Sequence, residues 1–287
     1  MIEGGEGDAP RRVAVVGLGL MGGSVCRALR ARPGRPEIAG FDRDESQGAR
    51  AVEAGVVDRL EPTPEGLLRA ANVVVYATPL GEAVRLMRAH AALWGPDTMV
   101  TDVVSLKAPI IREAVRGGFA GKVVGAHPIC GGEASGFAAA RGDLFEDATI
   151  WLCAHDEVEQ GLRVRAESFW SWLGGVPRWI EAEKHDVTMA WVSHLPQLVS
   201  NALAGALDAA GYGVQDLGPG GRDMTRLAAS NPEVWKDLLA SSAPVTGSGL
   251  TSVSNALNVL ADLLARRDVD KISEFMERTK KWRSGVS

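Results

Sequence analysis

Between residues 12 and 155 the chain alternates short apolar runs with longer stretches in which apolar positions recur every three or four residues. The runs are RVAVVG (12–17), EIAGFD (37–42), NVVVYATP (72–79), DTMVTDV (97–103), GKVVGAHP (121–128) and DATIWLC (147–153). Strands that are apolar on both faces belong in a parallel sheet covered by helices on its two sides. Segments such as SVCRALRAR (24–32) and GEAVRLMRAHAALW (81–94) have the spacing of amphipathic helices. The alternation predicts βαβ units and an α/β fold: a Rossmann-type, doubly wound, mainly parallel sheet.

After a helix at 157–174 and a short strand-like VPRWIE (176–181), the strand signal ends. Residues 185–211, 231–243, 248–268 and 268–283 all carry helical periodicity, so an all-helical C-terminal domain is expected. The predicted organisation is a disordered tail over 1–11, a dinucleotide-binding domain over 12–180 and a helical substrate and dimerisation domain over 181–287. The opening MIEGGEGDAP is acidic and glycine-rich, the opposite of a secretory signal.

The 287 residues carry a net charge of -5, and no basic cluster suits a nucleic-acid backbone, so no nucleic-acid partner is expected. No run of about 18 apolar residues calls for a membrane. Cys26, Cys130 and Cys153 have neither disulfide nor zinc spacing, so no metal is expected and a reducing cytoplasm fits.

Gly17, Gly19 and Gly22 form GxGxxG after an apolar run and before a helical one, the context that makes this motif informative. Gly17 allows the tight turn and Gly19 lets the backbone approach a pyrophosphate. Gly22 permits close helix–strand packing, and the first helical turn, with Leu20 and Met21, faces the phosphates. Asp42 ends the second run 20 residues after Gly22, where a carboxylate accepts hydrogen bonds from ribose hydroxyls and repels a 2′-phosphate. NAD is therefore expected, with NADP as the alternative because Arg43 and Arg50 lie nearby.

Ligands of open parallel sheets bind at the carboxyl ends of strands. Thr78-Pro79, TDVVSLK (101–107) and HPICGGE (127–133) follow three such strands and bring Ser105, Lys107, His127 and Glu133 to one crevice. These are proton-transfer and positioning groups suited to a hydride site. Alone, His127 reads more readily as a hydrogen-bonded structural residue at the mouth of a strand than as a catalyst.

The chain resembles the prephenate/arogenate dehydrogenase family in VVGLGLMGGS (15–24), TDVVSLK, GAHPICGGEASGFAAARGDLFEDA (125–148), HDVTMAWVSHLPQLVSNALA (185–204) and GGRDMTRLAASNPEVWKDLL (220–239). The resemblance implies oxidative decarboxylation of a cyclohexadienol, with hydride passing to NAD(P)+, in tyrosine biosynthesis. It makes His127 the acceptor of the ring hydroxyl's hydrogen bond, Ser105 its neighbour beside the nicotinamide, and Arg226 the grip on the ring carboxylate. Asp223 would support Arg226 or cap its helix, Trp235 would line the pocket, and Ser193 and His194 match as well. A homodimer through the helical domain is also implied, with active sites in a cleft between domains.

The chain departs from the family at several points. Gln197 stands where prephenate-using members often have histidine, Gly132 where relatives often have threonine or serine, and GPGGRD lacks a phenylalanine before the basic residue. Gln197 can hydrogen-bond a substrate side chain but carries no charge, while Glu133 suits an ammonium, which tilts the expectation toward arogenate. The alternatives are a dehydrogenase of an amino-substituted prephenate, a β-hydroxyacid dehydrogenase, and a non-catalytic NAD-binding protein. The second lacks its usual lysine within the first long helix, where only Lys184 stands at the start. The third would have no use for Ser105, His127 and Arg226 together.

Overall fold

The computed structural model describes residues 10–130 and 135–285, apart from the side chain of Glu233. The chain forms two compact units. One runs up to Met189 and includes Ala229–Ser241; the other comprises Ala190–Ala228 and residues 242–285.

The first unit begins with Arg12–Val16 (β1), Leu20–Arg30 (α1), Glu37–Phe41 (β2), Glu45–Glu53 (α2), Arg59–Leu60 (β3) and Pro64–Leu68 (α3). Val73–Tyr76 (β4), Leu80–His90 (α4), Met99–Asp102 (β5) and Ala108–Arg116 (α5) follow. The five strands make one parallel sheet in the order β3-β2-β1-β4-β5. The chain builds outward from β1 to β3, then returns to place β4 on the other side of β1. The carboxyl ends of β1 and β4 therefore flank the point where the order reverses, the place at which such sheets bind ligands.

Burial explains why the apolar runs show no alternation. Val13 and Val15 of β1 enter one core with Val25, Cys26 and Leu29 of α1, while Ala14 and Val16 enter the opposite core with Leu67 and Leu68 of α3. Val73 and Val75 of β4 go to the first core, and Val74 and Tyr76 to the second. Successive side chains point to opposite faces, and both faces are covered. In the second core the Tyr76 hydroxyl lies 3.0 Å from Nδ1 of the buried His90 and accepts from Trp94 Nε1 at 3.2 Å.

The unit continues through Val124–Pro128 (β6), Thr149–Ala154 (β7), Gln160–Trp172 (α6), Val176–Trp179 (β8) and Ala182–Met189 (α7). An isolated parallel bridge between Val100 and Val123 aligns β6 with β5. The 147–153 run is not the parallel neighbour that its texture suggests: β7 pairs antiparallel with β6 and parallel with β8. An apolar run records burial on two faces, which is the same for either strand direction.

Ala229–Ser241 belongs to this unit because its side chains enter it. Leu238 is buried in the second core, Trp235 packs against that core, and Asp237 Oδ2 accepts from Gly81 N at the start of α4, at 3.1 Å.

The second unit opens with a π-helical turn, Ala190–His194, then Leu195–Ala209 (α8) and Pro219–Thr225 (α9). Pro196 has no N–H to return to the carbonyl four residues back, which accounts for the widened turn before it. One helix, Pro232–Ala265 (α10), spans the two stretches that the sequence separates at 231–243 and 248–268, and Val269–Ser284 (α11) follows. The missing N–H of Pro244 removes one helical hydrogen bond, and the serine- and glycine-containing stretch after it continues the helix. Among the described residues no helix is long and apolar enough to cross a membrane, and no group of three or more His, Cys, Asp or Glu side chains is placed to hold a metal.

Candidate active site

The glycine turn is shaped by what surrounds it. Gly17 has φ +95°, donates its N–H to Phe41 O at 2.8 Å, and would place a Cβ 2.5 Å from Ala77 O. A Cβ on Gly22 would lie 1.9 Å from Gly17 O. Gly19 caps α1 without a side-chain hydrogen bond, no acidic residue occupies the first turn, and a Cβ there would meet no protein atom within 4 Å. Backbone N–H groups and the positive end of the helix thus face a side of the turn that suits a phosphate. Leu20 and Met21 pack half-buried against the first core.

Asp42, just past β2, holds the turn together. Its Oδ2 accepts from Leu18 N at 2.6 Å and its Oδ1 from Asp44 N at 2.8 Å. Each carboxylate oxygen has a second lone pair for a ribose hydroxyl. Arg43 and Arg50 are exposed. Asp44 caps α2, and its hydrogen bonds from Ser46 and Gln47 hold its carboxyl below the usual range. Past β4, Thr78 Oγ1 is buried with no hydrogen-bond partner among the described residues, and Pro79 begins the turn into α4. The cradle that a Cβ would fill, the open helix end and the orphaned hydroxyl together fit a dinucleotide.

Past β5 the side chains sort into two groups. Lys107 does not offer its amine to the crevice: it is fully buried, ion-paired with the equally buried Asp102, and donates Nζ–H to Ala126 O at 2.7 Å. Gly125 makes room for the pair, since a Cβ there would lie 3.3 Å from both Asp102 Oδ2 and Lys107 Cδ. Burial pushes the Asp102 carboxyl up against the opposing pull of Lys107. Ser105, between them in sequence, remains half-buried.

His127 sits at the carboxyl end of β6, also half-buried. Its Nδ1 is 3.0 Å from Nε2 of His185, with the rings edge to face at 5.1 Å between centroids. His185, on α7, is fully buried, and its Nδ1 is 2.7 Å from Asp186 Oδ1. Asp186 in turn accepts from Lys107 N at 2.7 Å and Ala108 N at 2.9 Å, capping α5 from another element. Sequence reasoning singled out neither His185 nor Asp186. Their only signal was an adjacent His-Asp pair at the start of a helical stretch.

Gly132 and Glu133 lie outside the described residues. In the second unit Ser193 is exposed in the π turn, and Arg226 is exposed where α9 gives way to a 3-10 turn. His194 is buried, its Nδ1 2.9 Å from Ser242 Oγ. Gln197, also buried, directs its amide N–H2 to Asn201 Oδ1 at 2.8 Å and to Leu227 O at 2.7 Å. Both amide hydrogens are engaged within the unit, and the second fastens the backbone next to Arg226. Trp235 belongs to the first unit, half-buried on α10.

Residues 25–176 match the family "Prephenate dehydrogenase, nucleotide-binding domain", and residues 181–278 match "Prephenate dehydrogenase, dimerization domain". The chain is 28% identical over 284 residues to the cyclohexadienyl dehydrogenase of Zymomonas mobilis, covering 95% of each protein. It is similar to the crystal structure of Aquifex aeolicus prephenate dehydrogenase in complex with hydroxyphenyl propionate and NAD+, with a TM-score of 0.88 and 25% identity, covering 96% of this chain and 98% of that one. It is likewise similar to Synechocystis arogenate dehydrogenase, with a TM-score of 0.81 and 27% identity over 96% of this chain and 100% of that one.

Proposed function

The chain belongs to the prephenate dehydrogenase family, and on that premise we propose that it oxidatively decarboxylates a cyclohexadienol, arogenate or prephenate, in tyrosine biosynthesis with NAD+ as hydride acceptor. One observation carries the reading: an imidazole at the carboxyl end of β6, oriented by a buried histidine that is itself paired with an aspartate, in the same unit as a glycine turn built for a dinucleotide. His127 accepts the hydrogen bond of the ring hydroxyl through Nε2 and relieves the positive charge that builds on that oxygen. The hydride leaves the hydroxyl-bearing carbon, the electron pair of the carbon–carboxylate bond moves into the ring, and CO2 departs. The product keeps the hydroxyl proton as a phenol. NAD+, when bound, takes up the hydride.

Ser105 orients His127 and the cofactor. Arg226 binds the ring carboxylate, for which a planar guanidinium is better suited than an ammonium. Ser193, Trp235 and the loop with Gly132 complete the substrate's surroundings, and Thr78, Pro79, Leu20 and Met21 those of the cofactor. Asp42 favours NAD+ over NADP+, and Arg43 stacks beside the adenine. Gln197 acts on substrate choice by holding the backbone at Leu227. With no positive charge at that position, and Glu133 available for an ammonium, arogenate is the preferred substrate.

The protein works as a homodimer. Leu257, Leu264 and Met276 in the second unit are each at least 60% exposed in the single chain, which is unusual for large apolar side chains. The three cysteines are all free thiols, in keeping with a cytoplasmic enzyme.

Initial rates on arogenate and prephenate, each with NAD+ and NADP+, test the reading. NADH should form fastest with arogenate, and no turnover on either substrate by a protein that binds NAD+ would refute it. His127→Ala should lower kcat by about 10²–10⁴-fold with little change in KM. Arg226→Ala should raise KM about tenfold or more. The reverse pattern would show that these two roles are misassigned.

A further inference from the structure

We infer that His185 and Asp186 are positioning residues that set the tautomer of His127 and fasten the Ser105 loop to the same carboxylate. The inference rests on the reading of His127 as the acceptor of the ring hydroxyl.

Asp186 anchors the relay. Its carboxylate accepts from two backbone N–H groups at the start of α5, Lys107 N and Ala108 N. Both of its oxygens thus serve as acceptors of N–H groups at the positive end of a helix. The atom of His185 that faces it, Nδ1 at 2.7 Å, must therefore be a donor. In neutral His185 the proton on Nδ1 leaves Nε2 as a lone pair. Nε2 lies 3.0 Å from Nδ1 of His127, so that nitrogen carries the proton and donates it. A neutral His127 protonated on Nδ1 has its acceptor lone pair on Nε2, the form that hydroxyl polarisation requires.

The chain Asp186–His185–His127 thus has one self-consistent direction of donation. It also acts during the reaction. As proton density shifts toward His127 Nε2, the ring's Nδ1–H donates more strongly to His185, whose own Nδ1–H is held by Asp186. No proton need leave the imidazoles. His185 is fully buried, so this support operates away from water, where hydrogen bonds of this kind are stronger.

Among the described residues, other charged or titratable groups lie near the relay. From the β5–α5 connection come Lys107 and Asp102, neutralised by each other. From β7 comes Cys153, whose thiol burial pushes up to about 12, and from α7 itself Glu183 acts at longer range. Asp186 is the carboxylate in direct hydrogen-bond contact with His185. Because Asp186 also holds the backbone two and three residues past Ser105, one side chain sets both Ser105 and His127.

Histidine-selective ¹⁵N NMR on the full-length protein without substrate tests the tautomer directly, and five histidines make assignment by substitution practical. We expect neutral His127 and His185 both protonated on Nδ1. His185→Gln and Asp186→Asn should each lower kcat about 10–100-fold with a smaller effect on KM, and shift the acid limb of the kcat profile toward lower pH. A wild-type spectrum with His127 protonated on Nε2 would overturn the inference. So would a folded His185→Gln protein with unchanged kcat and acid limb. If either variant fails to fold, the wild-type spectrum decides. His127→Ala with full turnover would instead sink the catalytic reading, and the NMR tautomer would still report on the relay.

Discussion

A methyl group added at Gly19 would find no protein atom within 4 Å, whereas one at Gly22 would lie 1.9 Å from the Gly17 carbonyl oxygen. The two glycines of one motif therefore stand in different surroundings, open space at Gly19 and tight packing of the fold at Gly22. Gly19→Ala, at an ordinary φ of -70°, should leave the melting temperature unchanged while weakening NAD+ binding about tenfold, as read by calorimetry. Gly22→Ala should cost about 1–3 kcal/mol of stability before any ligand is added. Equal effects of the two on melting would contradict this division. The glycines and His127 were legible in the sequence because each follows an apolar run that announces a strand end. Lys107 was misleading: its charge suggested a site amine, but the gap at Gly125 lets it turn inward to Asp102. His185 and Asp186 went unread because their importance lies in contacts with β6 and with the start of α5, 58 and 79 residues away.

At the scale of elements, β1, β2, β4 and β5 could be read from the chain since burial on both faces leaves an unbroken apolar run. β3 could not, being two exposed residues, Arg59 and Leu60. The antiparallel direction of β7 and the continuity of α10 also escaped, because hydrophobic texture carries no strand direction and a single proline does not always end a helix. The return of Ala229–Ser241 to the first unit is equally a matter of tertiary contact. It depends on Leu238, Trp235 and the cap that Asp237 supplies to α4, a helix whose own N-cap, Pro79, makes no side-chain hydrogen bond. Asp237→Ala should lower stability by about 0.5–1 kcal/mol and speed proteolysis within 229–241. An unchanged cleavage pattern would mean that the apolar contacts suffice without the cap.

For the whole molecule, Leu257 and Leu264 lie two helical turns apart on one exposed face of α10. Replacing both with glutamate should turn a dimer into a monomer in sedimentation at micromolar concentration, and a persistent dimer would place the contact elsewhere. A different limit comes from the histidine beneath Tyr76. The Tyr76 hydroxyl accepts from Trp94 and so directs its own proton to His90 Nδ1, and burial holds the His90 pKa below its ordinary value near 6.5. Protons then bind the unfolded chain more readily than the folded one at pH values below that point. This contribution to stability is complete above about pH 6.5 and drains away as the pH falls toward the lower folded value. Melting temperatures should decline more steeply from pH 7 to 5 in the wild type than in His90→Leu. Part of the protein's tolerance of acidification is thus set by a ring buried beside Tyr76 in the second core, with the charges of Glu65, Arg85 and Glu82 as smaller influences on it.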